Sequence, residues 1–172
     1  MTDFTVSLTI DNVIDALAAY LTPFVAGSPI IRGQVNRTPL PLGPFVELTE
    51  ILTVDLSVPT TGHDPVLQLN TITGPAQIDV QLDFYGASAG DYFKAARTAF
   101  RTGYGFDAFP ATIKPLYMSD GRQSPLTTGE QQYESRWTCT VSMQYNPAIT
   151  LPQQSANTLS ASLVSVEATY PA

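Results

Sequence analysis

GEQQYESRWTCTVSMQYNP, Gly129 to Pro147, is the stretch from which the fold can be read. Tyr133, Ser135, Trp137, Cys139, Val141, Met143 and Tyr145 fall on every second residue. Between them sit Glu134, Arg136, Thr138, Thr140, Ser142 and Gln144, which carry no charge after the first two. Successive side chains of a strand point to opposite faces, so this pattern describes one long strand with a greasy side and a polar, nearly uncharged side. The Trp137 side is expected to pack under helices. The Thr138–Gln144 side is expected to meet other copies of the same chain.

Working outward, AQIDVQLDFYG repeats the rhythm: Ile78, Val80, Leu82 and Phe84 alternate with Gln77, Asp79, Gln81 and Asp83. FVELTEILTVDLSV, Phe45 to Val58, is a long β-type run whose register Phe45 and Val46 blur. Ile30 to Val35 and Pro115 to Met118 read as shorter strands, and Thr158 to Tyr170 as a last one. PTTGHDP supplies a polar tip at Gly62, His63 and Asp64, so the flanking runs predict a long β-hairpin. Two helices are expected. One runs from Asp11, as N-cap, to about Thr22 with Ile14, Leu17, Ala18 and Leu21 on its apolar stripe. The other follows a Ser88 cap, spans about Gly90 to Arg101 and is stopped by the glycines of GYG at Gly103 to Gly105. Helix, strands, helix, strands predicts an α+β fold, mostly antiparallel, with both helices on one sheet face. The whole chain, 1–172, reads as a single domain, with an amino-terminal arm at 1–10 and a carboxy-terminal strand and tail at 150–172.

Composition narrows the function. Charged residues make up only 13% of the chain and hydrophobic ones 44%. Soluble domains average about 25% charged residues, so surface covered by partners is expected. From Thr38 to Phe93 there is no Lys or Arg, while Glu47, Glu50, Asp55, Asp64, Asp79, Asp83 and Asp91 are all acidic. The net charge of −7 argues against a protein that grips nucleic acid by its phosphates. The chain opens without a signal peptide, and no stretch approaches a membrane span, so no membrane partner is expected.

Little points to catalysis. His63 is the only histidine and Cys139 the only cysteine, and an apolar strand face is a poor place for a nucleophile to meet a loop histidine. Neither a metal site nor a cofactor is implied. Asp79 and Asp83 share a strand face about 13 Å apart, too far for a glycosidase pair. GASAG at Gly86 to Gly90 lacks the Lys-Ser/Thr of a nucleotide loop. Lys94, Arg97 and Arg101 form a basic helical stripe suited to an acidic surface on a neighbouring subunit.

Three blocks carry a resemblance: NRTPLPLGPFVELTEI (Asn36 to Ile51), IDVQLDFYGASAGDYFKAARTAFRTGYG (Ile78 to Gly105) and PLYMSDGRQSPLTTGEQQYESRWTCTVSMQYNP (Pro115 to Pro147). DFYG…AGDY…RTGYG and GEQQYESRW are its most telling parts. The chain resembles the neck or tail terminator proteins of tailed bacteriophages. The resemblance implies a virion structural protein, assembled in the host cytoplasm, that forms a hexameric ring on the tail tube and ends tail elongation. Its implied partners are further copies, the tail tube protein and the neck or head-completion protein, with a sheath added if the tail contracts. Genomic DNA would pass through the ring during ejection without being specifically bound. Under this reading Glu47, Glu50, Asp55, Asp79 and Asp83 are candidates to line the channel, and Gly62, His63 and Asp64 to touch an adjacent ring. A head-completion or adaptor ring is the alternative within the neck. A β-rich carbohydrate-binding module, with Trp137 as a stacking platform, is the alternative from another class.

Overall fold

The computed structural model describes residues 4–34, 39–124, 126–127 and 133–154. A short strand, β1 (Thr5–Val6), precedes helix α1 (Ile10–Leu21). Thr9, not Asp11, caps α1. Its backbone N–H donates to Asn12 Oδ1 at 2.9 Å while the Asn12 N–H donates to the Thr9 hydroxyl at 3.4 Å, a reciprocal box that satisfies end groups a helix leaves open. Asp11 sits instead in the first turn, where its charge suits the positive end of the helix. Val13, Ile14, Leu17, Tyr20 and Leu21 form the buried stripe. Pro23, lacking an N–H, diverts the chain into the tight turn Thr22–Phe24.

Strands β2 (Ile30–Arg32), β3 (Phe45–Asp55), β4 (Thr60–Asp64), β5 (Leu69–Thr73) and β6 (Ala76–Tyr85) follow. Next come α2 (Ala89–Phe100) and α3 (Gly103–Asp107), so the glycines expected to stop the second helix open a further short one. The remaining strands are β7 (Ile113–Met118), β8 (Arg122–Gln123), β9 (Leu126–Thr127), β10 (Tyr133–Glu134), β11 (Arg136–Tyr145) and β12 (Ala148–Pro152). The expected strand Thr158–Tyr170 lies outside the described residues.

The main sheet has the order β2-β3-β6-β11-β7, with β8 beside β7 on the same side of β11. Only the β2–β3 pair is parallel. Both long helices cover one face of it. There Val46, Leu48, Ile78, Val80, Leu82, Phe84, Cys139, Val141 and Met143 pack against the apolar stripes of α1 and α2. The Tyr20 hydroxyl ties the helices together by donating to the Ala96 carbonyl at 2.7 Å. The alternation of β6 and β11 is thus realised as expected, and the fold is α+β with mostly antiparallel sheets.

A second sheet has the order β1-β12-β5-β4. It continues the central strands of the first: β3 leads to β4, β5 to β6, and β11 to β12. Each junction holds a proline, at Pro59, Pro75 and Pro147, which breaks a ladder because it has no N–H to donate. The extension is the expected long hairpin, reinforced by β12 and β1. Gly62 and His63 are not at its tip, however. They lie within β4, paired with Thr71 and Asn70. The turn falls after Asp64, whose carboxylate accepts the N–H groups of Val66 and Leu67 at 2.9 and 3.0 Å. An aspartate bonding backbone two and three residues on makes a turn by itself, and that local chemistry wins over Gly62.

Candidate assembly surfaces

The face of the main sheet away from the helices is polar, carrying Gln77, Asp79, Gln81, Thr138, Thr140, Ser142 and Gln144. Asp83, expected to face solvent or a channel, is instead only 2% exposed. Its carboxylate accepts Arg136 Nε at 3.0 Å and Nη2 at 2.9 Å, Gln81 Nε2 at 2.7 Å, and the Thr138 hydroxyl. Burial alone would raise the Asp83 carboxyl, but these donors outweigh it and hold it below the usual carboxylate range. The pairing neutralises Arg136, the one base on this face of β11. Beside it Phe45 and Tyr85 stack with centroids 4.3 Å apart, and the Arg136 guanidinium lies 5.6 Å from the Tyr85 ring. Burial pushes the Tyr85 hydroxyl up to about 12, although Arg136 opposes the shift, and that hydroxyl donates to Glu47 at 3.3 Å.

The five acids that are candidates to line a channel are divided between two faces. Glu47 is paired with Asp83 and Leu52 with Asp79, which puts Glu47, Asp79 and Asp83 on the polar side. Glu50 opposes Val80 and Asp55 opposes Ala76, so these two lie on the helix-covered side. Glu50 stands three residues from Glu47, so plain alternation turns it to the other face, and a β-bulge between Glu50 and Leu52 adds one residue that carries Asp55 there too. The sequence sign was there, because Ile51 interrupts the alternation of β3. The electrostatics agree with the split. Burial raises the Tyr145 hydroxyl, and Glu50 and Asp55 add to the shift from the same side of the sheet.

The bulge also leaves apolar side chains in solvent. Ile51 is 49% and Leu52 51% exposed, and Val54, Leu56 and Val58 continue the series. β2 covers the outer edge of β3 only as far as Leu48. Gln34, at φ 60, is the last described residue of that segment. Beyond Leu48 opens a cleft of ≈ 760 Å³ between Arg32–Gln34 and Thr49–Thr53. Asp11 and Asp15 of α1 and Glu50 surround Arg32, which pairs with Asp11.

The opposite edge of the main sheet is basic. Arg97 folds back from α2 to Asp120 at 2.6 Å, anchoring the helix to the chain after β7. Lys94 and Arg101 of the same stripe remain exposed, so the predicted stripe is intact at its two ends. Exposed Tyr104, Phe106, Leu116 and Tyr117 lie alongside, and Lys114 Nζ sits 4.1 Å from the Phe106 ring centroid.

The second sheet has no buried residue in any of its four strands. One face presents Val6, Ile149 and Ile72 in a cross-strand row; the other presents Thr5, Thr150 and Thr71. His63 stands exposed on this sheet. Cys139 is buried in β11 beneath the helices, where desolvation pushes its thiol up to about 12. The two do not form a pair. Trp137 stacks on Phe93 at 5.9 Å and closes against Gly90, so it does not offer the open ring face a sugar platform needs. Among the described residues no group of three or more His, Cys, Asp or Glu could hold a metal ion. No helix of the described residues is long and apolar enough to cross a membrane.

No curated protein sequence is similar to this chain. Among solved structures, the sheath/tube terminator of an extracellular contractile injection system (PVC), determined by cryo-electron microscopy in its extended state, is similar in fold. The TM-score is 0.50 and the identity 15%; the match covers 95% of this chain and 65% of that one. This chain therefore spans less than two thirds of that protein's length. The family model of the phage neck terminator proteins matches residues 11–168, from the first turn of α1 through nearly all of the sequence. The chain belongs to the phage neck terminator protein family.

Proposed function

We propose that this protein closes the end of a phage tail tube as a ring of its own copies, stops tube growth, and joins the tail to the neck or head-completion protein. The observation that carries the reading is membership of the neck terminator family across residues 11–168. A hexameric ring is the form the sequence resemblance implies. The polar face of the main sheet is suited to line its passage. Its one base on β11, Arg136, is already held by Asp83, which leaves Arg122 and Lys114, the register partners of Thr138 and Gln144, as the bases at the β7–β8 side of that face. Glu47 and Asp79 would make the β3–β6 part of that wall acidic; Glu50 and Asp55, on the other face, would not contribute to it. The second sheet, with its turn at 65–68, is suited to reach an adjacent ring or neck protein, because a sheet without a buried face is completed only by a partner.

The test is tube growth from purified tail-tube protein in its presence, followed by negative-stain imaging. Tubes of limited length bearing end rings are the expected result. Uncapped tubes, together with binding to portal-bound heads, would replace this reading with that of a head-completion ring.

A further inference from the structure

We infer that successive copies in the ring meet head to tail, the outer edge of β3 in one copy against the β7–α3 edge of the next. This rests on the ring reading above and adds which surfaces close it. The two edges bound opposite ends of the same sheet and carry complementary charge. On the β3 edge Glu50 and Asp55 lie on the helix-covered side, and the exposed Leu52 and Val54 on the polar side. On the other, Lys94, Arg101, Tyr104 and Phe106 come from the covering helices, and the exposed Tyr117, opposite Ser142, lies on the polar side.

Three further facts favour a second copy as the occupant. Natural sheet edges are usually blunted by lysine, proline or a covering loop. The outer edge of β3 beyond Leu48 has neither of those residues, and no Lys or Arg occurs from Thr38 to Phe93. Glu50 and Asp55 also lie on the helix-covered side of the sheet, where α2 and α3 place the basic and aromatic residues of the opposite edge. Two copies side by side in the same sense therefore bring acid to base without a flip. Finally, the two patches differ, so the contact is heterologous; repeated around an axis it closes into a ring. Pro115 in β7 has no N–H to extend a ladder, so side chains rather than a continuous sheet carry the contact.

Charge reversal tests this in the full chain, with ring yield read by light scattering and imaging on tail tubes. E50K/D55K and K94E/R101E alter exposed side chains only, and far-UV circular dichroism with the thermal midpoint checks that each still folds. Either variant alone should lose ring yield by about ten-fold or more, as attractive pairs become like-charge ones. An equal mixture of the two should recover rings, since each altered edge then meets an altered partner of opposite sign and each native edge a native one. Rings from either variant alone at the parent yield would overturn the inference while leaving tube capping intact. So would two defective variants whose mixture stays defective. A parent protein that neither assembles nor caps tubes would remove the terminator reading and this inference with it.

Discussion

At the scale of single residues, Asp83 does the most unexpected work. A carboxylate at 2% exposure is tolerable only because four donor groups converge on it, two of them from the Arg136 guanidinium. Removing its charge leaves Arg136, itself largely sheltered, without a partner. Asp83→Asn should therefore destabilise the subunit by about 3 kcal/mol in urea titration. The pH dependence has a fixed sign. Because the folded carboxyl sits below its unfolded value, its stabilisation is complete above roughly pH 4 and is lost as pH falls through the lower folded value. The thermal midpoint of the parent should drop in that acidic window more steeply than that of Asp83→Asn. Equal slopes would show that Asp83 is not the group responsible. Gly86 illustrates a different constraint: at φ +103 and with Pro44 where a Cβ would point, only glycine turns the chain out of β6.

At the scale of elements, three strands cross a line of prolines and change character there. Before it, β6 and β11 are buried on one face; beyond it, no residue of β4, β5 or β12 is. Stability and reach are thereby separated. Joining Asp55 to Ala76 through an Asn-Gly turn is geometrically natural because the two are cross-strand partners, and it would delete β4 and β5. The shortened chain should keep a single cooperative transition, with its midpoint lowered by less than about 4 °C, the effect of roughly 1 kcal/mol in a chain this size. It should still cap tubes but fail to retain neck or head partners. Loss of folding would instead make the second sheet part of the core.

For the whole molecule, one end of the main sheet is acidic and the other basic, and apolar side chains are exposed at both. Charges between copies then set register, while apolar cover provides most of the hold. Ring formation should weaken from about 50 mM to about 0.5 M salt, as screening shortens the range of the charges, yet not vanish. Sedimentation velocity across that range measures it. Complete insensitivity to salt would mean that the acidic and basic edges do not face each other.

The sequence by itself determined the strands of strict alternation, the two long helices, the face they cover and the family. These are local matters: a period of two or of 3.6 is written in neighbouring residues, and family blocks are contiguous. The three proline junctions, the bulge at Ile51 and the turn after Asp64 were also present locally. Their consequences depended on which strand lay opposite, so neither the place of the hairpin turn nor the division of the five acids between two faces could be read from the sequence. Only the tertiary structure decided that Arg136 reaches Asp83 across 53 residues, that β2 leaves most of β3 uncovered, and that acid and base collect at opposite edges. Pairing order joins residues far apart in the chain. No periodicity records it, because long-range contacts are settled by packing the whole core at once.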